Sequence, residues 1–190
     1  MKMSDVEKQK NIEGWVFLVL FCLTIPAANW MIGHVGTLCL PNGPCLLPVA
    51  PHLMAPSGVL MIGAALVLRD LVQRRLGVEF GLGAIVVGAV ISAALAPAAL
   101  VIASAAAFLL SEFADFAVYT PLARRRLVLA VLASSSVGLV VDSIVFLWLA
   151  FGSLDFLFGQ IVGKLLMVLL ATPFVAYLRR RDERLGLKPA

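Results

Sequence analysis

Long apolar runs, separated by short polar or turn-rich segments, occupy most of this chain of 190 residues. Each run approaches the roughly 20 residues that a helix needs to cross a bilayer. We place six spans at about residues 14–32, 54–71, 80–96, 98–120, 127–151 and 156–178. The pattern therefore predicts an all-α fold in which residues 1–190 form a single transmembrane domain with six membrane helices.

Basic residues cluster at alternate ends of these spans. Of the 15 Lys and Arg, only Lys164 lies inside an apolar run away from its ends. The others lie in the two termini, between spans two and three, and between spans four and five. By the positive-inside rule both termini are cytoplasmic. We interpret the net charge of +4 as this topology signal, and we expect no nucleic-acid partner.

Composition narrows the class of protein further. Hydrophobic residues make up 62% of the chain and charged residues 14%, whereas soluble domains average roughly 25% charged residues. We therefore expect an integral protein in contact with membrane lipid, without a separate soluble domain. The run of serines at 134–136 lacks a nearby base, and the chain has no phosphate-binding Gly-Lys loop. We expect neither an enzyme nor a cofactor, and the spacing of His34 and His52 does not predict a metal site.

The first loop between spans, residues 33–53, contains no Lys, Arg, Asp or Glu. It is apolar enough to fold back over the helices as a lid. Cys39 and Cys45 flank a turn-rich segment, and the sequence leaves open whether they form a disulfide or remain thiols. The second span begins with residues 55–58, a Pro- and Gly-containing stretch that is compatible with unwound backbone.

Polar residues recur at helical spacing within the apolar spans. Glu112 and Asp115 share one helix face, as do Gln160 and Lys164, and Asp142 shares a face with Ser135. Buried charges in membrane helices normally face a cavity or a partner. We predict a substrate-binding site formed by Asn29, Glu112, Asp115, Asp142, Gln160 and Lys164. The alternatives are an internal salt-bridge network, for instance Lys164 with Asp142 or Glu112, and an interfacial role for Asn29.

Arg69, Asp70 and Arg74 form a second charged group at the inner end of span two. One interpretation is an anchor at the cytoplasmic surface, which is typical of such basic runs. The other is a gate in which Asp70 pairs with an arginine in one state of the protein. The sequence leaves both interpretations open.

The chemistry of the predicted site suits a flat ligand with adjacent donors. A carboxylate accepts two parallel N–H bonds from a guanine-type edge, while Lys164 or Gln160 donates to a carbonyl oxygen. An aromatic side chain can stack on a flat ring, and the candidates are Trp30, Phe108, Phe113, Phe116 and Phe146. A small cation or an amine would satisfy the same residues, so these residues do not choose between the ligands.

The order of these motifs resembles the queuosine precursor transporter family, also called the vitamin-uptake-like family, of six-helix bacterial membrane proteins. The resemblance covers residues 14–178. It is carried by Ala28-Asn29-Trp30, by Asp70 and Arg74 followed by Gly77, by Glu112 with Asp115, by Ser134, Gly138 and Asp142, and by Lys164 followed by Pro173.

This resemblance implies uptake of 7-deazaguanine bases, the cyano and aminomethyl precursors of queuosine, across the bacterial inner membrane for transfer-RNA modification. The chain also looks like substrate-binding subunits of energy-coupling-factor transporters, which depend on a separate ATPase module. Small residues such as Ala103 and Ala107 suit that docking, a homodimer or ordinary helix packing.

Overall fold

The computed structural model describes residues 3–41, 43–95 and 101–187. Its helices are α1 (Met3–His34), α2 (Val59–Leu76), α3 (Val78–Leu95), α4 (Val101–Ala123), α5 (Leu127–Phe151) and α6 (Leu157–Leu185). The described residues thus contain six helices, and the number of helices matches the prediction. Residues 96–100, which contain the predicted boundary between spans three and four, lie outside the described residues.

Five helices are long and apolar enough to cross a membrane. They are Glu7–His34, Val78–Leu95, Val101–Ala123, Leu127–Phe151 and Leu157–Leu185. The chain is therefore a multi-pass membrane protein. α2 differs because four charged residues lie in its last eight positions. A membrane crossing by α2 and a cytoplasmic position for both termini remain predictions.

α2 lies at the centre of the bundle despite its charges. It packs against the other five helices, and most of its residues are buried. Arg69 and Asp70 are both 0% exposed. Because an uncompensated charge in an apolar interior is very costly, the neighbouring helices must supply partners for this helix.

The first loop contains a small antiparallel sheet, which the all-α prediction did not include. Its strands are β1 (Leu38–Cys39), β2 (Cys45–Ala50) and β3 (Leu53–Pro56), in the order β1-β2-β3. Leu47 pairs with Ala55, and a disulfide joins Cys39 to Cys45. Helix α2 begins only at Val59, so residues 54–58 of the predicted second span are not helical. Residues 54–56 are paired in the sheet, and Pro56 disfavours helical backbone at Ala55.

The sheet covers one end of the bundle. The hydroxyl of Ser57 donates a hydrogen bond of 2.7 Å to the carbonyl oxygen of Met31 at the end of α1. β3 also lies directly on the start of α6, where Gly159 faces the carbonyl oxygen of Met54 so closely that a Cβ atom would be 2.1 Å from it. The loop thus covers this end of the bundle as the lid interpretation expected. We call this the sheet end, and the opposite end, with the arginines, the basic end.

Close backbone contact fixes α2 against α6. A Cβ atom on Gly63 would lie 2.6 Å from the carbonyl oxygen of Lys164. Backbone cannot yield as a flexible side chain can, so the glycine sets the distance between the two helices. It thereby also sets the position of Lys164.

We expect Gly63→Ala to destabilise the detergent-purified protein, because α2 and α6 must separate to accept the methyl group. Overpacking of this kind typically costs about 1–3 kcal/mol. Gly83→Ala in α3 is the matched control, since no atom of the described residues lies within 4 Å of its added methyl group. Alanine favours a helix over glycine by about 1 kcal/mol, so the control should keep or raise the melting temperature. Equal melting temperatures for both variants would contradict the packing argument.

Candidate functional site

A cavity of about 80 Å³ lies near the sheet end and is lined by residues of all six helices. One water molecule needs roughly 10–15 Å³ measured in this way, so the cavity has room for a small molecule. Its walls are mainly apolar. The lining comprises Ile25, Ala28, Asn29, Ile32, Pro56, Gly58, Val59, Ile62, Ser92, Ser104, Ala107, Phe108, Asp142, Phe146, Gln160 and Lys164.

Lys164 is the centre of the polar groups at this cavity. Its ammonium donates hydrogen bonds to Asp142 Oδ2 at 2.5 Å, to Gln160 Oε1 at 2.7 Å and to Ser143 Oγ at 2.8 Å. The side chain is 1% exposed, so these three acceptors replace the water that a buried ammonium loses. The salt-bridge alternative drawn from the sequence is thus present between Lys164 and Asp142. Ser143 was not predicted, although its position beside Asp142 was an available signal.

Asn29 and two aromatic rings complete this site. The Asn29 amide donates to the carbonyl oxygen of Ile25 at 3.1 Å, so the side chain is held against its own helix. Phe108 is 5% exposed and Phe146 is half-buried. Trp30 points elsewhere: it is 58% exposed and its ring stacks on His34.

A second group of polar residues lies closer to the basic end. We call it the Arg69 cluster, and it consists of Arg69, Asp70, Gln73, Glu112, Asp115 and Ser134. The Arg69 guanidinium donates to Glu112 Oε2 at 3.0 Å and to Asp115 Oδ1. It also donates to Gln73 Oε1 at 3.1 Å, and the Ser134 hydroxyl donates to Asp70 Oδ2 at 3.0 Å. None of these six residues lines the cavity.

The six predicted site residues therefore fall into two places. Asn29, Asp142, Gln160 and Lys164 line the cavity. Glu112 and Asp115 instead contact Arg69, one or more helical turns nearer the basic end. The sequence placed each pair on a common helix face, but helical spacing does not say which distant residue that face will meet.

A third cluster lies at the basic end itself. Asp182 accepts hydrogen bonds from Arg74 and Arg75 at 2.8–3.1 Å, and Glu13 lies 3.0 Å from Arg75 and 2.6 Å from Arg181. Arg74 is thus paired with Asp182, whereas Arg69 and Asp70 belong to the Arg69 cluster. Among the described residues, no group of His, Cys, Asp or Glu side chains could hold a metal ion.

We expect Arg69→Met to cost about 3–5 kcal/mol of stability, because it leaves buried carboxyl groups without their cation. Arg179→Met is the matched control: its ion pair with Glu183 is exposed, 41% and 60% for the two side chains. Exposed pairs of this kind contribute about 0–1 kcal/mol. Thermal melting in detergent measures both. Similar small losses in the two variants would show that Arg69 does not hold the cluster together.

Comparison with known proteins gives one match. Residues 94–178 match a family model described as "Putative vitamin uptake transporter". The matched segment contains Glu112, Asp115, Asp142, Gln160 and Lys164, and it excludes α1 and α2. No curated protein sequence and no solved structure matches the chain. The resemblance inferred from the sequence is thus confirmed for residues 94–178, which are similar to vitamin uptake transporters.

Proposed function

We propose that the protein is a transporter that takes up 7-deazaguanine bases, the queuosine precursors, across a bacterial inner membrane. The family match supports the broader role, uptake of a small molecule. The observation that carries the substrate proposal is the cavity itself, which places an acid, two amides and two aromatic rings around one small space.

The hydrogen bonds of Lys164 leave two neighbouring groups, the Gln160 amide nitrogen and Asp142 Oδ1, able to bind a ligand. Lysine only donates, so the Gln160 oxygen must face it and the Gln160 amide nitrogen is left to donate. Asp142 contacts Lys164 through Oδ2, and its Oδ1 makes no hydrogen bond within the described part of the chain. Asp142 can therefore accept from a ring N–H or exocyclic amine, while Gln160 donates to a carbonyl oxygen. A guanine-type edge carries both kinds of group.

The apolar walls suit the rest of such a base. Phe108 and Phe146 can stack on a flat ring, and ring stacking adds about 0.5–1.5 kcal/mol beyond area burial. A small cation would be repelled by the Lys164 ammonium in the cavity wall. The lining therefore favours a neutral, planar, polar molecule over a cation.

The position of the cavity supports a conformation in which substrate binds from one side of the membrane only. It lies at the sheet end, which faces outward if the basic ends are cytoplasmic by the positive-inside rule. Between the cavity and the basic end, the buried Arg69 cluster fills the bundle. We propose that Arg69, Asp70 and Arg74 act as the inner gate, whose ion pairs must separate before substrate can leave toward the cytoplasm.

Binding is tested by thermal-shift titration with the cyano and aminomethyl deazaguanines, guanine and adenine. A ligand at 100 times its Kd stabilises the folded state by about 2.7 kcal/mol, so deazaguanines should raise the melting temperature. Asp142→Asn should abolish the shift, and Phe146→Ala should reduce it, because the lost ring stacking weakens binding by about 0.5–1.5 kcal/mol. Asp155→Asn, in an exposed loop, and Phe158→Ala, 73% exposed, are the matched controls that should retain it. No shift with any base would contradict the proposed substrate.

Flux separates transport from simple binding. Purified protein in liposomes should accumulate or exchange labelled deazaguanine without any other protein. If the base binds but no flux occurs, the protein is instead a substrate-binding subunit of the energy-coupling-factor type. That result would leave the binding site intact and overturn the proposal of an autonomous transporter.

A further inference from the structure

The Arg69 cluster contains more acid than base. Three carboxyl groups, those of Asp70, Glu112 and Asp115, lie within 3.0 Å of a single guanidinium, and each residue is between 0% and 2% exposed. If all three were ionised, the cluster would carry an excess of two negative charges in an apolar interior. Such an imbalance is far more costly than a neutralised acid.

No other cation in the described part of the chain balances this excess. Lys164 is held by Asp142, and Arg74 is held by Asp182. The same residues also lack a grouping that could hold a metal ion. One bound proton would lower this excess from two negative charges to one.

The geometry of two of the acids points to the place of a proton. Asp70 Oδ1 and Asp115 Oδ1 both contact the same guanidinium nitrogen, Nη2 of Arg69. Because they share this one nitrogen, the two carboxyl groups lie side by side. Asp70 Oδ1 lies 3.0 Å from Nη2 but makes no hydrogen bond with the described residues, and neither does Asp115 Oδ2. Two ionised carboxylates in this position repel, whereas one shared proton turns the repulsion into a hydrogen bond.

Few other charged or polar groups surround the Asp70–Asp115 pair. From α2 it faces Arg69, and from α4 it faces Glu112 and Tyr119. Arg74 lies on the far side of Tyr119, paired with Asp182. From α5 Ser134 donates to Asp70, and Asp142 lies further away, toward Glu112. The ring of Tyr119 lies 5.7 Å from the Arg69 guanidinium, and its hydroxyl is a further buried polar group without a partner among the described residues.

We propose that Asp70 and Asp115 share a proton and that this proton is the coupling ion for uptake. The inference rests on the proposed function and adds the energy source to it. When the gate opens toward the basic end, water reaches the pair. One carboxyl O–H bond then breaks, the proton passes to water, and the second carboxylate stays with Arg69. The gate closes again when the pair is reprotonated from the side of the cavity, so that each cycle moves one proton from that side to the basic end.

Infrared spectroscopy tests the proton without any transport. The purified wild-type protein at pH 7 should show the carbonyl band of a protonated carboxylic acid, although a free aspartate has a pKa of about 3.9. The band should lose intensity in Asp70→Asn and in Asp115→Asn, and keep it in the exposed control Asp155→Asn. The neutral amide has the shape of a protonated acid, so both variants should fold. Absence of the band in the wild type overturns the proposal without need of any variant.

Liposome uptake tests the coupling. A pH gradient, acidic on the side facing the cavity, should accelerate deazaguanine uptake by the wild type and by Asp155→Asn. The ratio of rates with and without the gradient should fall to one in Asp70→Asn and Asp115→Asn. If the wild-type uptake rate is the same with and without the pH gradient, proton coupling is overturned and the proposed function is unaffected. If the infrared band is present but the protein transports no deazaguanine, the proposed function is contradicted. The proton shared by Asp70 and Asp115 is then still supported.

Discussion

The burial of Arg69 is the constraint on which the rest of the bundle depends. A guanidinium at 0% exposure in an apolar protein must be surrounded by acceptors, and those come from α2 itself and from α4. One turn further along α2, Arg74 and Arg75 meet Asp182 of α6. Since lipid tails are as apolar as leucine, hydrophobicity alone does not choose the register of membrane helices. These buried ion pairs do choose the register, because every other register would leave a buried charge unpaired.

The need to pair buried charges also divides the interior into two levels along the bundle, the Lys164 site near the sheet end and the Arg69 cluster in the middle. Near the sheet end, Lys164 uses all three of its protons on acceptors, and its neighbours keep free atoms that face a cavity. In the middle, the Arg69 cluster has carboxyl oxygens without hydrogen bonds to the described residues, and none of its members lines the cavity. A lysine whose three protons are all hydrogen-bonded, beside a cavity, suits ligand recognition. A buried cluster with more carboxyl groups than cations suits proton binding and a closed gate.

Local signals in the sequence predicted the helices and the shared faces of the polar residues. Apolar length predicted six helices, and helical spacing predicted the Gln160–Lys164 face. The pairing of Lys164 with Asp142 was one of two alternatives, the other being Glu112. The sheet was missed because its strands have only two to six residues and adjoin an apolar run that reads as a continuous helix. The partner of Glu112 was open because it is Arg69, 43 residues away. The charges of α2 resembled a surface anchor, since position along a helix does not reveal which neighbours cover it.

The two levels are joined by the helices that contribute to both. α4 carries Phe108 in the cavity wall and Glu112 in the Arg69 cluster, four residues and about 6 Å apart along the axis. α5 likewise carries Asp142 at the cavity and Ser134 on Asp70. A ligand that shifts α4 or α5 must therefore also change the contacts of Arg69, because a close-packed interior moves between discrete arrangements and does not deform continuously. Differential binding of substrate to the two arrangements is then sufficient to link occupation of the cavity to loss of the proton.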